Sequence, residues 1–141
     1  MGTTDLAHQL RTPHRADRLG LLYALSRCVN AARIHDRVIL DSVFLNIRDE
    51  QAFRADCEHG LALGFDGKTL IHPSQVEIAN QVFGLNAEQL EHARQVIAAW
   101  ELAESQGKGV AVLDGKLVET MHVDVARRVL QMNESLEQRE S

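Results

Sequence analysis

Apolar residues recur at helical spacing in four stretches of the chain, and short unbroken apolar runs lie between them. Leu22, Leu25, Val29 and Ala32 fall at i, i+3, i+7 and i+10 of a pattern that takes over from Asp17. That spacing predicts an amphipathic helix, with Arg27 and Arg33 off the stripe and solvated. Phe53, Cys57 and Leu61 share a face of a second helix over 49–63, closed by Gly60 and Gly64. Leu90, Ala93, Ile97 and Trp100 line a third over 86–107, with Asn86 and Gln89 as its capped start. A fourth runs from about Met121 with Val125, Val129, Met132 and Leu136 on one side. Ser74 and Glu77 read as an S-x-x-E capping box that opens a further helix over 74–83, ending at Gly84.

The unbroken runs predict strands. Residues 38–41 are apolar up to Asp41, as in a buried parallel strand, and a second run follows over 42–45. Leu70 and Ile71 form a shorter run, which Pro73 ends by forcing His72 into extended geometry. Residues 110–118 carry Asp114-Gly115 between apolar flanks, the preferred chemistry of a two-residue hairpin turn. Gly-Thr-Thr-Asp-Leu at the beginning reads as loop, and 13–18 as a basic, turn-like connection. Asp5 there either caps a turn beside Thr4 or serves as a ligand. Asp41 either lines a site or holds loop amides. His59, beside the buried face of its helix, reads as a surface or boundary residue. Strand, polar loop and capped helix make the βα unit of an α/β sheet, whose function lies at the carboxyl ends of its strands.

Composition narrows the classes. A chain of 141 residues with 45% hydrophobic content can build a core, yet falls short of the roughly 250 residues of a full βα barrel. The net charge of −5 argues against nucleic acid and against anionic membranes as partners. No apolar run reaches membrane-spanning length. Cys28 and Cys57 lack any zinc or C-x-x-C spacing, so the expectation is reduced thiols in a cytoplasmic protein.

The stretch 64–75, G-F-D-G-K-T-L-I-H-P-S-Q, closely resembles the last barrel strand of the HpcH/HpaI aldolase/citrate lyase family. Gly-Thr-Thr-Asp-Leu at 2–6 is similar to the end of that family's sixth strand. L-D-G-K-L-V-E-x-x-H-V-x-x-A-R-R from Leu113 resembles the element that follows the barrel. The resemblance implies an α/β fold: the carboxyl-terminal portion of a TIM (β/α)8 barrel over 1–107, its last three strands, and a hairpin-helix lid over 108–141. Such a piece would be incomplete as an isolated chain, with open strand edges.

The same resemblance implies a lyase for 3-hydroxy-dicarboxylyl-CoA thioesters of malyl, citramalyl or citryl type, with Mg2+ or Mn2+ as cofactor. A malyl-CoA thioesterase, or a non-catalytic fragment of such an enzyme, is the alternative. By position Asp5 is the metal aspartate, and its glutamate partner and the substrate-binding arginine belong to earlier strands without a counterpart in this sequence. Glu119 stands where the family's acid/base aspartate does, with Met121 in place of a proline. Lys68 and His72 are implied as cofactor-binding positions, Lys68 toward a CoA phosphate, against the simpler reading that they cap a strand end. The implied partners are a CoA thioester and either further copies of the chain or a complementing barrel half.

Overall fold

The computed structural model describes residues 2–140 and the side chains of residues 2–138; Met1 and the last residue of the polar tail, Ser141, lie outside the described residues. The chain divides into two compact units, 1–84 and 85–141.

The first unit is a run of alternating helices and very short parallel strands. α1 (Thr3–Leu10) is followed by a 3-10 turn (Leu19–Leu21) that leads into α2 (Leu22–Ile34). Then come β1 (Leu40–Asp41), α3 (Glu50–Leu63), β2 (Gly67–Lys68) and α4 (Ser74–Phe83). β1 and β2 pair in parallel, Leu40 opposite Gly67 and Asp41 opposite Lys68. α3 is therefore the crossover of a βαβ unit, which parallel pairing requires. Bonds from Asp66 N–H to the Ile39 carbonyl and from Thr69 N–H to the Asp41 carbonyl flank the ladder.

Local chemistry accounts for most of these boundaries. Asp49 caps α3 by accepting from Ala52 N–H, and Gly64, at φ 96°, ends it in the left-handed conformation that glycine adopts without strain. Leu25 and Val29 of α2 bury with Ala7, Leu21 and Phe65 in one apolar cluster, as their spacing predicts. Phe53 and Cys57 of α3 pack with Ala79 of α4 in another. Leu61, expected on that face, is exposed; Gly60 takes its place against the sheet.

Four expectations are corrected. Residues 3–10 are helix and not loop, and of the run 38–41 only Leu40 and Asp41 are strand. The second parallel strand is Gly67–Lys68, ahead of the apolar pair 70–71, because backbone pairing with β1 overrides apolar content. The Ser74/Glu77 capping box does not form. Pro73 is the N-cap, Ser74 Oγ lies 2.9 Å from His72 Nδ1, and Glu77 accepts from Gln81.

In the second unit α5 (Ala87–Ser105) packs on β3 (Ala111–Leu113) and on α6 (Thr120–Glu140), and β3 pairs antiparallel with β4 (Lys116–Val118). The Asn86/Gln89 capping box forms in full. Asp114 and Gly115, at φ 50° and 75°, make the expected hairpin turn. Ala93, Val96, Ala111, Val118, Val123 and Ala126 are its core. α5 thus packs in one unit with the hairpin and α6. Val125, Met132 and Leu136 are exposed, the buried face of α6 being carried by Val123 and Ala126. No helix among the described residues is long and apolar enough to cross a membrane.

Candidate functional site

The paired residues Asp41 and Lys68 turn the same way, onto α3, and both are buried there. Lys68 Nζ lies 3.1 Å from Asp41 Oδ2 and 2.5 Å from Asp56 Oδ2. Arg18 reaches the Asp41 carboxylate through one nitrogen, 2.9 Å from Oδ1 and 2.7 Å from Oδ2. Its other groups donate to His59 Nδ1 at 3.2 Å and to the Asp56 carbonyl at 3.0 Å. Two cations and two carboxylates share the space, so the cluster carries no net charge. Burial pushes the Asp41 carboxyl up, but Lys68 and Arg18 outweigh it and hold it below the usual carboxylate range.

α3 can approach this closely because residue 60 is glycine: a Cβ there would stand 2.7 Å from Asp41 Oδ2. Arg18 itself adopts φ 51°, a conformation that costs a non-glycine residue on the order of 1 kcal/mol and that the cluster enforces. At the amino ends of the strands a second clip works the same way. Arg33 binds both Asp66 oxygens and the Gly64 carbonyl, and Asp66 accepts from Ile39 N–H. Arg33 makes these bonds while remaining exposed to solvent, as its place off the apolar stripe predicts.

The carboxyl ends of β1 and β2 open onto the segments 42–46 and 69–73. A cleft of about 330 Å3 lies beside the first, between Thr3 and Thr4 of α1, His14 and Arg15, and the residues Ser42 to Asn46. Asp5 is exposed in the first turn of α1, next to that cleft's threonines. His72 is exposed and fixed by Ser74, whose backbone N–H also donates to its Nδ1. Lys68, expected to meet a CoA phosphate, is turned away from solvent, and its side chain is fully covered. Asp41 serves the ion cluster and accepts from Ser42 N–H. Arg18, Asp56 and His59 went unrecognised in the sequence, since each gains its role from a partner more than twenty residues away or from a turn of helix that periodicity assigns to the boundary.

Glu119, in the second unit, is the N-cap of α6. Its carbonyl accepts from His122 and Val123 N–H, and its own N–H donates to His122 Nδ1 at 3.0 Å. The E-x-x-H spacing is therefore a capping arrangement that leaves the Glu119 side chain exposed at a helix N-terminus. Among the described residues no three His, Cys, Asp or Glu side chains gather into a group able to hold a metal ion. Asp5, as one exposed carboxylate, does not fit the octahedral oxygen shell of magnesium by itself.

Known proteins place these features. The family model for HpcH/HpaI aldolase/citrate lyase matches residues 1–73, more than half of the chain. The (3S)-malyl-CoA thioesterase of Cereibacter sphaeroides is 51% identical over 96% of this chain and 48% of its own length. Citrate lyase subunit beta of Escherichia coli is 35% identical over 92% of this chain and 43% of its own. Among solved structures, CitE of Mycobacterium tuberculosis in complex with magnesium, acetoacetate and coenzyme A superposes with a TM-score of 0.73 at 28% identity. It is matched over 93% of this chain and 49% of that one. The chain spans about half the length of the curated relatives it matches. With the family model spanning both strands of the parallel pair, the chain belongs to the HpcH/HpaI aldolase/citrate lyase family.

Proposed function

We propose that this chain is part of an enzyme acting on a malyl-type CoA thioester, and that hydrolysis to the free acid and CoA is its reaction. The observation that carries this is the half-identical match, along nearly the whole chain, to a malyl-CoA thioesterase. In this reading α2–β1–α3–β2–α4 are two consecutive βα units of a barrel, and the cleft beside Ser42–Asn46 is part of the mouth at its carboxyl end. The ion cluster behind the strands fixes their register and hence the loops that border the cleft. Lys68 accordingly has a structural role rather than a CoA-binding one.

Hydrolysis adds water to the thioester carbonyl carbon and breaks the C–S bond, and the departing thiolate takes up a proton. Glu119 is exposed at the start of α6 and of the right kind to move that proton as general base and then acid. Asp5 is the carboxylate this chain offers to a cation beside the threonines of the cleft. The second reading, carbon–carbon cleavage to acetyl-CoA and glyoxylate, draws on the match to CitE solved with acetoacetate and CoA. It uses Glu119 for proton exchange at the acyl methyl carbon.

One assay separates the two. The enzyme of which this chain is part is given (3S)-malyl-CoA and magnesium, and free thiol and acetyl-CoA are measured in parallel. Hydrolysis releases thiol without acetyl-CoA; the lyase reaction does the reverse; release of neither overturns both. Glu119→Gln, which keeps size and removes the charge, is expected to lower kcat by about 100-fold or more. Unchanged turnover removes Glu119 from the mechanism.

A further inference from the structure

Gln75 lies in the first turn of α4 and is 2% exposed. Such burial is uncommon for glutamine, and it is matched by a hydrogen bond at each end of the amide. Its Oε1 accepts from Ile71 N–H at 3.0 Å, and its Nε2 donates to the Phe44 carbonyl at 3.0 Å. Ile71 belongs to the segment after β2, and Phe44 to the segment after β1. Neither segment has a strand partner at these points, so one side chain supplies what a longer sheet would otherwise provide. The Phe44 ring rests on Phe53 of α3, with centroids 5.6 Å apart, which leaves its carbonyl as the loop's polar anchor. The same loop is one wall of the cleft beside Thr3, Thr4 and His14.

We propose that Gln75 is a positioning residue for the substrate: its amide straps the Phe44 loop to the Ile71 turn and so sets the width of the cleft at the carboxyl end of β1. This rests on the reading that the cleft takes the malyl-type thioester. A strap makes a sharper demand than mere packing, because one end must donate and the other accept. Gln75→Glu preserves shape and can still accept from Ile71 N–H, but it sets an acceptor against the Phe44 carbonyl. Gln75→Met keeps the volume and loses both bonds.

The test uses the full chain and two readouts, residue-resolved hydrogen exchange and the kinetics of malyl-CoA turnover. In Gln75→Glu the Ile71 amide should keep its protection within about twofold, while Ile47 N–H, bonded within the loop to the Leu45 carbonyl, exchanges about tenfold faster. KM should rise about tenfold with kcat within about threefold, the mark of a binding wall moved and a reaction left alone. Gln75→Met should lose Ile71 protection as well. Loop exchange and KM both at wild-type values in Gln75→Glu would overturn the strap. If the unmutated enzyme that contains this chain turns over no malyl-CoA, the substrate reading falls by itself. The strap then stands or falls on exchange at Ile47 and Ile71 alone.

Discussion

Lys68 sits with both of its charge partners inside the protein, and that makes it the residue whose loss should cost most. Replacing a whole buried pair with apolar groups is often neutral, but removing one partner strands the other. Lys68→Met leaves two carboxylates facing Arg18 alone, and should lower the unfolding free energy by about 3 to 5 kcal/mol. Urea unfolding measures this; a loss below about 1 kcal/mol would mean that water already reaches the cluster. Gly60 gives a complementary test. Alanine there gains roughly 1 kcal/mol of helix propensity, yet its Cβ would press on a carboxylate that Lys68 and Arg18 prevent from moving. Gly60→Ala should therefore destabilise by about 1 to 3 kcal/mol net. Equal or higher stability would show that α3 can lift off the sheet without cost.

At the scale of the element, what could be read in advance was what local chemistry settles. Asn86 with Gln89 and Asp114-Gly115 in the hairpin each carry their partners within four residues, and each forms as expected. Asn86→Ala should accordingly cost about 1 kcal/mol, seen as an earlier urea midpoint of Trp100 fluorescence, since Trp100 packs against the core that α5 helps to form. An unchanged midpoint would mean that α5 needs no cap. Elements that depend on distant partners were misjudged. Leu70 and Ile71 look more like strand than Gly67 and Lys68, but β1 pairs with the latter, and Arg18 reads as a loop cation until Asp41 is brought beside it. For the candidate site the motif at 64–75 singled out Lys68 and His72. It could not show that Lys68 faces α3, because facing depends on where the two-residue ladder begins.

For the whole molecule, the two units differ in what acid does to them. Asp41 is held below its ordinary range, so its contribution to stability is complete above about pH 4 and is lost as pH falls from there through its lower folded value. That loss falls on residues 1–84. The second unit has exposed ion pairs, Arg94–Glu91 at 4.0 Å and Arg127–Asp124 at 3.9 Å, which are worth at most a few tenths of a kcal/mol each. Its core is aliphatic. Acid titration should therefore release Cys57, fully buried beside the cluster, to thiol reagents before Trp100 emission changes. Simultaneous transitions would show that the units unfold as one.

The neutral cluster also bears on how the first unit comes together. Its members are drawn from positions 18, 41, 56 and 68, so no local stretch can neutralise itself. A nascent arrangement that dehydrates Lys68 before Arg18 and Asp56 arrive would be penalised, and would reopen. The route from coil to native state should therefore show one late, concerted barrier governed by long-range closure, and few stable way-stations along residues 18–68.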